Sequence, residues 1–311
     1  MKKIATVFTI LIVAVGLVAC SKQKTSDKIQ IITTFYPMYE FTKEVAGDHA
    51  DVSYLVPAGQ EVHDYEPSAR DMAKITDSDV LVYNNDNLEK WFSNAKKNIK
   101  DKTLIIEASK NVKMLEFDKE AGHDHKEDSD SDHSHDEGSV DPHTWLSLKN
   151  AQIEVQTIAD DLSKKYPDYK EDFQKNAQAY LEKLDNLEKE YATSLDSASN
   201  KKFVTQHAAF GYLANDYGLT QIAIAGLTPD AEPSSATLAK LKKIMQENNL
   251  NIVYFEENAD DKIAKTLANE VGAETLVLNT VEGITKDEQK NGATYISIME
   301  ANLENLKKSV K

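Results

Sequence analysis

Residues 29–47 read IQIITTFYPMYEFTKEVAG. The first six form a short apolar run rich in β-branched residues, the length of one strand, and 37–45 follow as an amphipathic helical stretch. The same pairing recurs downstream. Strand-like runs fall at 52–56, 80–83 and 103–106, with helical stretches at 67–76 and 88–99 between them. Strand alternating with helix argues for βαβ units and a parallel sheet. The second half repeats the scheme, with strands expected at 202–205, 221–225, 252–256 and 275–278 and helices at 209–217, 235–247, 261–271 and 293–310. In the helix at 235–247, Leu238, Leu241 and Met245 share one face, and Ser234 after Pro233 suits its N-cap.

Between the halves, residues 168–197 contain no Gly or Pro and place Phe173, Ala177, Tyr180, Leu184 and Leu187 at helical spacing. Pro167 suits the first turn. One continuous helix here would be about 45 Å long, enough to run along both halves. The alternative is a hairpin of two shorter helices, but nothing between 168 and 197 reads as a turn. The fold class expected is α/β, with two (β/α) lobes, each holding a mainly parallel four-stranded sheet, joined by one long backbone helix.

The 311 residues carry 36 Lys and Arg against 52 Asp and Glu, a formal net charge of −16. That field repels phosphates, so no nucleic-acid partner is expected. Only one apolar run approaches the length needed to span a bilayer, at residues 4–19 after Lys2 and Lys3, and it reads as a secretory signal. It ends Leu17-Val18-Ala19-Cys20, similar to the bacterial lipobox, in which cleavage precedes the cysteine and the thiol takes a diacylglycerol. Cys20 is the only cysteine, so lipidation would leave no thiol for a disulfide, a metal or a nucleophile. Two acyl chains hold a protein at a membrane surface where one would not. These readings divide the chain into a signal peptide (1–19), a lipid-anchored leash (20–28), an N-terminal lobe (29–166), a linking helix (167–198) and a C-terminal lobe (199–311). Within the N-terminal lobe, residues 118–137 are almost wholly Asp, Glu, His, Ser and Gly and hold His123, His125, His133 and His135 in two H-x-H pairs. This segment has too little apolar surface to build a core and is expected to be a disordered loop.

Four polar residues fall just beyond expected strand ends or their loops, where α/β folds place function. His63 lies in GQEVHDYEP (59–67), His143 in DPHTWL (141–146), His207 in VTQHA (204–208) and Glu282 in LNTVEG (278–283). Two come from each half, which suits a ligand site between them. One of Glu61, Asp64 and Glu66 is expected to orient the other ring nitrogen of His63. Glu256 is a reserve fourth ligand, His49 an exposed turn residue, and Trp145 and Tyr65 packing residues that screen the site.

The order of lipobox, FYP (35–37), G-Q-x-x-H-D-Y-E-P, acidic His-rich insert and D-P-H-x-W-L closely resembles the metal-specific solute-binding lipoproteins of ABC transporters, and above all their streptococcal zinc and laminin-binding members. The resemblance covers nearly the whole chain beyond the leash. It implies a metal ion between two lobes, with His63 and His143 as N-lobe ligands, His207 and Glu282 as C-lobe ligands, and a separate ABC permease and ATPase as partners. Manganese members carry a carboxylate where His207 stands. Three neutral imidazoles and one carboxylate suit four-coordinate Zn²⁺ rather than ions that favour more oxygens, although Cu²⁺ and Ni²⁺ compete strongly at such sites. The chain is expected to act as a monomer on the extracytoplasmic face of a Gram-positive membrane. A metalloenzyme would need an open coordination position and a base, and the sequence has no H-E-x-x-H, G-x-S-x-G or Walker A motif; no enzymatic activity is expected. Laminin adhesion is the alternative function, alone or beside zinc binding.

The His-rich segment offers weak, interchangeable chelates, because a flexible chain loses entropy when it closes on an ion. Replacing 118–137 with Gly and Ser should remove weaker zinc equivalents from a titration and leave the tight one unchanged. Loss of the tight equivalent would make the segment part of the site.

Overall fold

The computed structural model describes residues 28–117, 139–229, 234–256 and 262–311. The expected signal, Cys20 and the His-rich segment with His123, His125, His133 and His135 lie outside the described residues. Two sheets are present, each of four parallel strands. The first contains β1 (Ile29–Thr33), β2 (Ala50–Tyr54), β3 (Val80–Tyr83) and β4 (Leu104–Glu107), in the order β2-β1-β3-β4. The second contains β5 (Lys202–Thr205), β6 (Thr220–Ala223), β7 (Ile252–Phe255) and β8 (Glu274–Val277), in the matching order β6-β5-β7-β8. Register is set by burial: all four residues of β3 are buried, with Val80 opposite Leu104 and Val82 opposite Ile106. A run apolar on both faces belongs at the centre of a sheet covered on both sides by helices.

Helices α1 (Tyr36–Ala46), α2 (Ala69–Asp77) and α3 (Phe92–Ala95) connect the first four strands. Pro37 opens α1, where the missing N–H costs nothing, and Gly47 ends it with φ of 54°. A capping box between Ser68 and Asp71 starts α2. The expected helix at 88–99 is cut down to α3 and a 3₁₀ turn, Lys96–Asn98; its first residues instead form a turn in which the Leu88 and Glu89 N–H groups bond to the Asn85 carbonyl.

Two long helices follow, α4 (Leu148–Lys165) and α5 (Lys170–Asp196). Sequence reading did not separate α4 from its lobe, although Leu148, Ala151, Val155, Ile158, Ala159 and Leu162 are all buried along one face. The hairpin alternative for 168–197 is excluded, since α5 is continuous over 27 residues, about 40 Å. The chain closes with α6 (Gly211–Tyr217), α7 (Ser235–Glu247), α8 (Lys262–Val271), α9 (Lys286–Lys290) and α10 (Tyr295–Ser309). Ser234 does cap α7, accepting from the Thr237 N–H.

The two halves share one core. Buried side chains of the first sheet, α1, α4, α5, α10 and one face of the second sheet form a single apolar cluster, while the outer face of the second sheet packs a smaller one against α7 and α8. Along α5, Phe173, Ala177, Tyr180, Leu184, Leu187, Tyr191 and Leu195 are buried in turn. Polar ties cross in the same region. Glu40 on α1 accepts hydrogen bonds from Tyr36, from Tyr180 at 3.1 Å and from the Tyr295 N–H at 2.8 Å, while Tyr191 donates to the Met299 carbonyl at 2.6 Å. Buried this way, the Glu40 carboxyl is pushed above its ordinary range, partly offset by those donors. His49 is less exposed than expected: it bonds Asp172 at 2.8 Å and stacks on Tyr169 beside the start of α5.

A shared core and a continuous helix resist hinge closure, so ligand-linked change should be confined to local loops. Solution scattering of metal-free and metal-loaded protein is expected to give nearly the same radius of gyration. A large contraction on loading would mean that the halves move as separate bodies.

Candidate metal centre

His63, His143, His207 and Glu282 meet in the space between the two sheets, with all four donor atoms within 4.8 Å of one another. The Nε2 of His143 lies 3.1 Å from that of His63 and 3.3 Å from that of His207. Glu282 Oε1 stands 3.5 Å from His63, 3.5 Å from His143 and 3.6 Å from His207. Ligands bound tetrahedrally at 2.0–2.1 Å are separated by about 3.3 Å. These five separations are close to that value, and the remaining pair, His63 and His207, lies within the 4.8 Å that bounds the whole set. Among the described residues, Glu282 Oε1 is buried without a hydrogen-bond partner, an arrangement that is costly unless a cation faces it.

The rings of His143 and His207 are aimed by neighbours. Asp141 Oδ1 accepts from the His143 backbone N–H at 3.0 Å and lies 2.8 Å from Nδ1, so Nε2 points to the centre. Glu256 bonds the Nδ1 of His207; it orients a ligand rather than serving as the reserve one. Glu61 departs from expectation, because its carboxylate accepts from the backbone N–H groups of Val62 and His63, while Asp64 and Glu66 are exposed. Tyr65 packs against Trp91. Trp145 packs against His143 and edge-on to Phe35, and its indole N–H reaches across to the Thr280 carbonyl at 2.8 Å.

The Glu282 loop is held in an unusual backbone. Val281 has φ of 55°, a conformation a β-branched residue adopts only under constraint. Asn279 accepts from the Val281 N–H at 2.7 Å, and Asn302 on α10 clamps Asn279 from both sides of its peptide, at 2.8 and 2.7 Å. Together with Trp145 on Thr280, these bonds hold residues 279–281 from two elements and so set the direction of Glu282.

Beneath the DPHTWL turn lies a buried polar layer. Asn84 and Asn85, at the end of β3, both donate to the Pro142 carbonyl, at 3.1 and 3.2 Å. Glu89 holds those asparagines through their backbone N–H groups and takes a 2.6 Å bond from Thr34. Thr144 lies 2.5 Å from Glu154 and 3.0 Å from the Asn84 amide oxygen. One hydroxyl cannot donate to both, and burial pushes Glu154 up to about 8. The Thr144 hydroxyl donates to Glu154 Oε1, and that bond partly offsets the effect of burial on the carboxyl.

The four candidate donors titrate differently. Burial depresses His63 and, with the other two imidazoles beside it, depresses His143 well below its ordinary value. Burial also lowers His207, but the facing carboxylates of Glu256 and Glu282 outweigh it and the net shift is upward. Glu282 is raised well above the carboxylate range by burial and by Glu61. The downward shifts of His63 and His143 favour the neutral form that can bind a cation, while the upward shifts of His207 and Glu282 favour their protonated forms.

Two parallel α/β sheets facing across a buried N₃O cage define a metal-binding protein of the solute-binding kind. The chain belongs to the ZnuA family, described as zinc-uptake complex component A, periplasmic, whose pattern matches residues 31–309. It is 50% identical over 313 residues to the zinc-binding lipoprotein AdcA of Streptococcus pneumoniae, covering 99% of this chain. It spans only 61% of that protein's length. The Zn(II)-bound ZnuA-like domain of the same AdcA has a TM-score of 0.78 and 48% identity, covering 91% of this chain and 99% of the domain. The high-affinity zinc uptake system protein ZnuA of Bacillus subtilis is 45% identical, over 99% of this chain and 98% of its own. The laminin-binding protein Lmb of Streptococcus agalactiae, described as a bifunctional protein with adhesin and metal transporting activity, matches at TM-score 0.78 and 33% identity over 91% of this chain and 100% of that one.

Because the shifts of His207 and Glu282 favour their protonated forms, cation binding at these groups should release protons and affinity should fall as pH falls. Calorimetric heats of zinc binding measured in buffers of different ionisation enthalpy are expected to differ accordingly. Identical heats in all buffers would contradict proton release on binding.

Proposed function

We propose that this protein captures Zn²⁺ outside the cell at His63, His143, His207 and Glu282 and delivers it to an ABC permease powered by a separate ATPase. The observation that carries this reading is the set of four donor atoms within 4.8 Å of one another around a buried, unpartnered Glu282 oxygen. The donor chemistry favours zinc over manganese, since three imidazoles and one carboxylate leave no room for the additional oxygens Mn²⁺ prefers. Holding and handing over an ion requires no catalytic step, and four protein ligands leave no open position for activated water. The lobes taking part are 29–166 and 199–311, joined by 167–198.

The leader and Cys20 support anchoring by diacylglycerol to the extracytoplasmic face of a Gram-positive membrane, with the protein acting as a monomer. Among the described residues, no helix is long and apolar enough to cross a membrane. The His-rich segment 118–137 would gather ions near the cleft, its negative charge raising local cation concentration within about 10 Å. Likeness to Lmb favours laminin adhesion as a second reading; comparing the binding of metal-free and zinc-loaded protein to immobilised laminin separates adhesion from transport.

Protein purified without added metal or a metal-binding tag should contain zinc by elemental analysis. A thousandfold excess of zinc over Kd should stabilise the fold by about 4 kcal/mol, and His143→Ala should abolish most of that gain. Wild-type affinity in that variant would refute the ligand set.

A further inference from the structure

We propose that Asp141 is a positioning residue for His143 and that Gly211, in the opposite half of the molecule, fixes where its carboxylate can sit. This rests on the four-ligand reading above. Asp141 is buried, and one oxygen, Oδ1, serves both the backbone N–H and the ring Nδ1 of His143. The other oxygen, Oδ2, faces the first residue of α6, where a Cβ built on Gly211 would lie 2.5 Å away. Only a hydrogen atom fits between that backbone and the carboxylate.

The contact is braced on the same helix. Tyr212 donates to the Asp141 carbonyl at 2.8 Å and accepts from the Leu115 N–H at 3.0 Å, while the Asp141 N–H bonds the Leu115 carbonyl at 2.9 Å. The backbone of Asp141 is therefore held on both sides, and its side chain cannot escape by moving the main chain. A methyl at 211 must instead rotate the carboxylate, and rotation that moves Oδ2 also takes Oδ1 away from Nδ1. The His143 ring then loses the bond that aims Nε2 at the centre. A residue that touches neither the ion nor any of its ligands thereby sets the geometry of one ligand, across the junction between the halves.

Gly211→Ala separates position from charge, because it leaves every carboxylate in place, whereas Asp141→Ala removes the negative charge together with the contact. Partners that orient metal-bound histidines typically contribute 10–100-fold to affinity. Zinc affinity by chelator competition, and the visible absorption band of the Co²⁺-loaded protein as a reporter of ligand geometry, would be measured for wild type, Asp141→Ala, Gly211→Ala and the double variant. Both single variants are expected to lose about 10–100-fold in affinity and to shift the Co²⁺ band. In the Asp141→Ala background the 211 methyl has space, so Gly211→Ala should add less than about twofold, the signature of two residues acting through one contact. Asp141→Asn, whose amide oxygen still accepts from Nδ1, should recover most of the band.

Wild-type affinity and band in Gly211→Ala, or an equal loss in both backgrounds, would overturn the proposal. Should Gly211→Ala alone fail to fold, recovery of folding in the double variant supports the contact, and a double variant that stays unfolded rejects it. His143→Ala is the control: if it keeps zinc, the ligand reading itself is wrong; if it loses zinc while the Asp141 and Gly211 variants match wild type, only the positioning role falls.

Discussion

Burial of one apolar stripe of α5 against both halves sets the distance across which the ligands meet. Phe173, Ala177, Tyr180 and Leu184 pack with the first half, while Tyr191 and Leu195 lie toward α6 and α10. Among the described residues, a continuous core along α5 defines the cleft. Donor atoms brought from both halves to within 4.8 Å of one another are held there by a core packed as densely as any protein interior. A loose pair of lobes would relax apart to hydrate Glu282.

The electrostatics follow from the same confinement. Taking three imidazoles and a carboxylate out of water makes most charged states expensive. The site resolves this by keeping His63 and His143 neutral through burial and by letting His207 share charge with Glu256 and Glu282. The cage is thus one whose donors differ in charge preference because their neighbours differ. Such a cage needs little rearrangement of heavy atoms to accept a dication, and preorganisation of this sort reduces the entropic cost of binding.

Strands were the most legible part of the sequence where burial is two-sided. The bounds expected for 80–83 and 202–205 are those of β3 and β5, because uninterrupted β-branched and aromatic runs have no competing helical period. Helix α4 escaped notice although its apolar positions follow helical spacing; Asn150, Gln152, Gln156 and Thr157 among them weaken the visual pattern. At the candidate site, the four residues that sequence position and resemblance singled out are those the fold gathers. Their supports were not legible. Asp141 could be seen beside His143, but its bond depends on ring orientation, and the Gly211 contact joins residues seventy apart in sequence. The positive φ of Val281 breaks the rule that would place Gly there, and only Asn279, Asn302 and Trp145 together explain it. Glu256 stands just past the end of β7 and bonds the Nδ1 of His207; in sequence, a reserve ligand and a carboxylate aimed at a ring nitrogen look alike.

The two sheets share one strand order, yet use its reversal point differently. In open α/β sheets the crevice where strand order reverses, at the carboxyl ends of the strands, is the natural ligand seat. In the second sheet that crevice lies between β5 and β7, and it supplies His207 and its partner Glu256 directly. In the first sheet the corresponding crevice, between β1 and β3, is closed by Glu89 with Thr34, Asn84 and Asn85. Burial pushes the Glu89 carboxyl up to about 7, and the asparagines it organises carry the DPHTWL turn through the Pro142 carbonyl. The first half therefore turns its own seat into a foundation and presents His143 from above it, which moves that ligand out over the cleft toward His207. Had both halves used their crevices directly, their ligands would sit at the floors of two separate sheets. Filling one crevice with buried polar structure is what lets a single ion be reached from both.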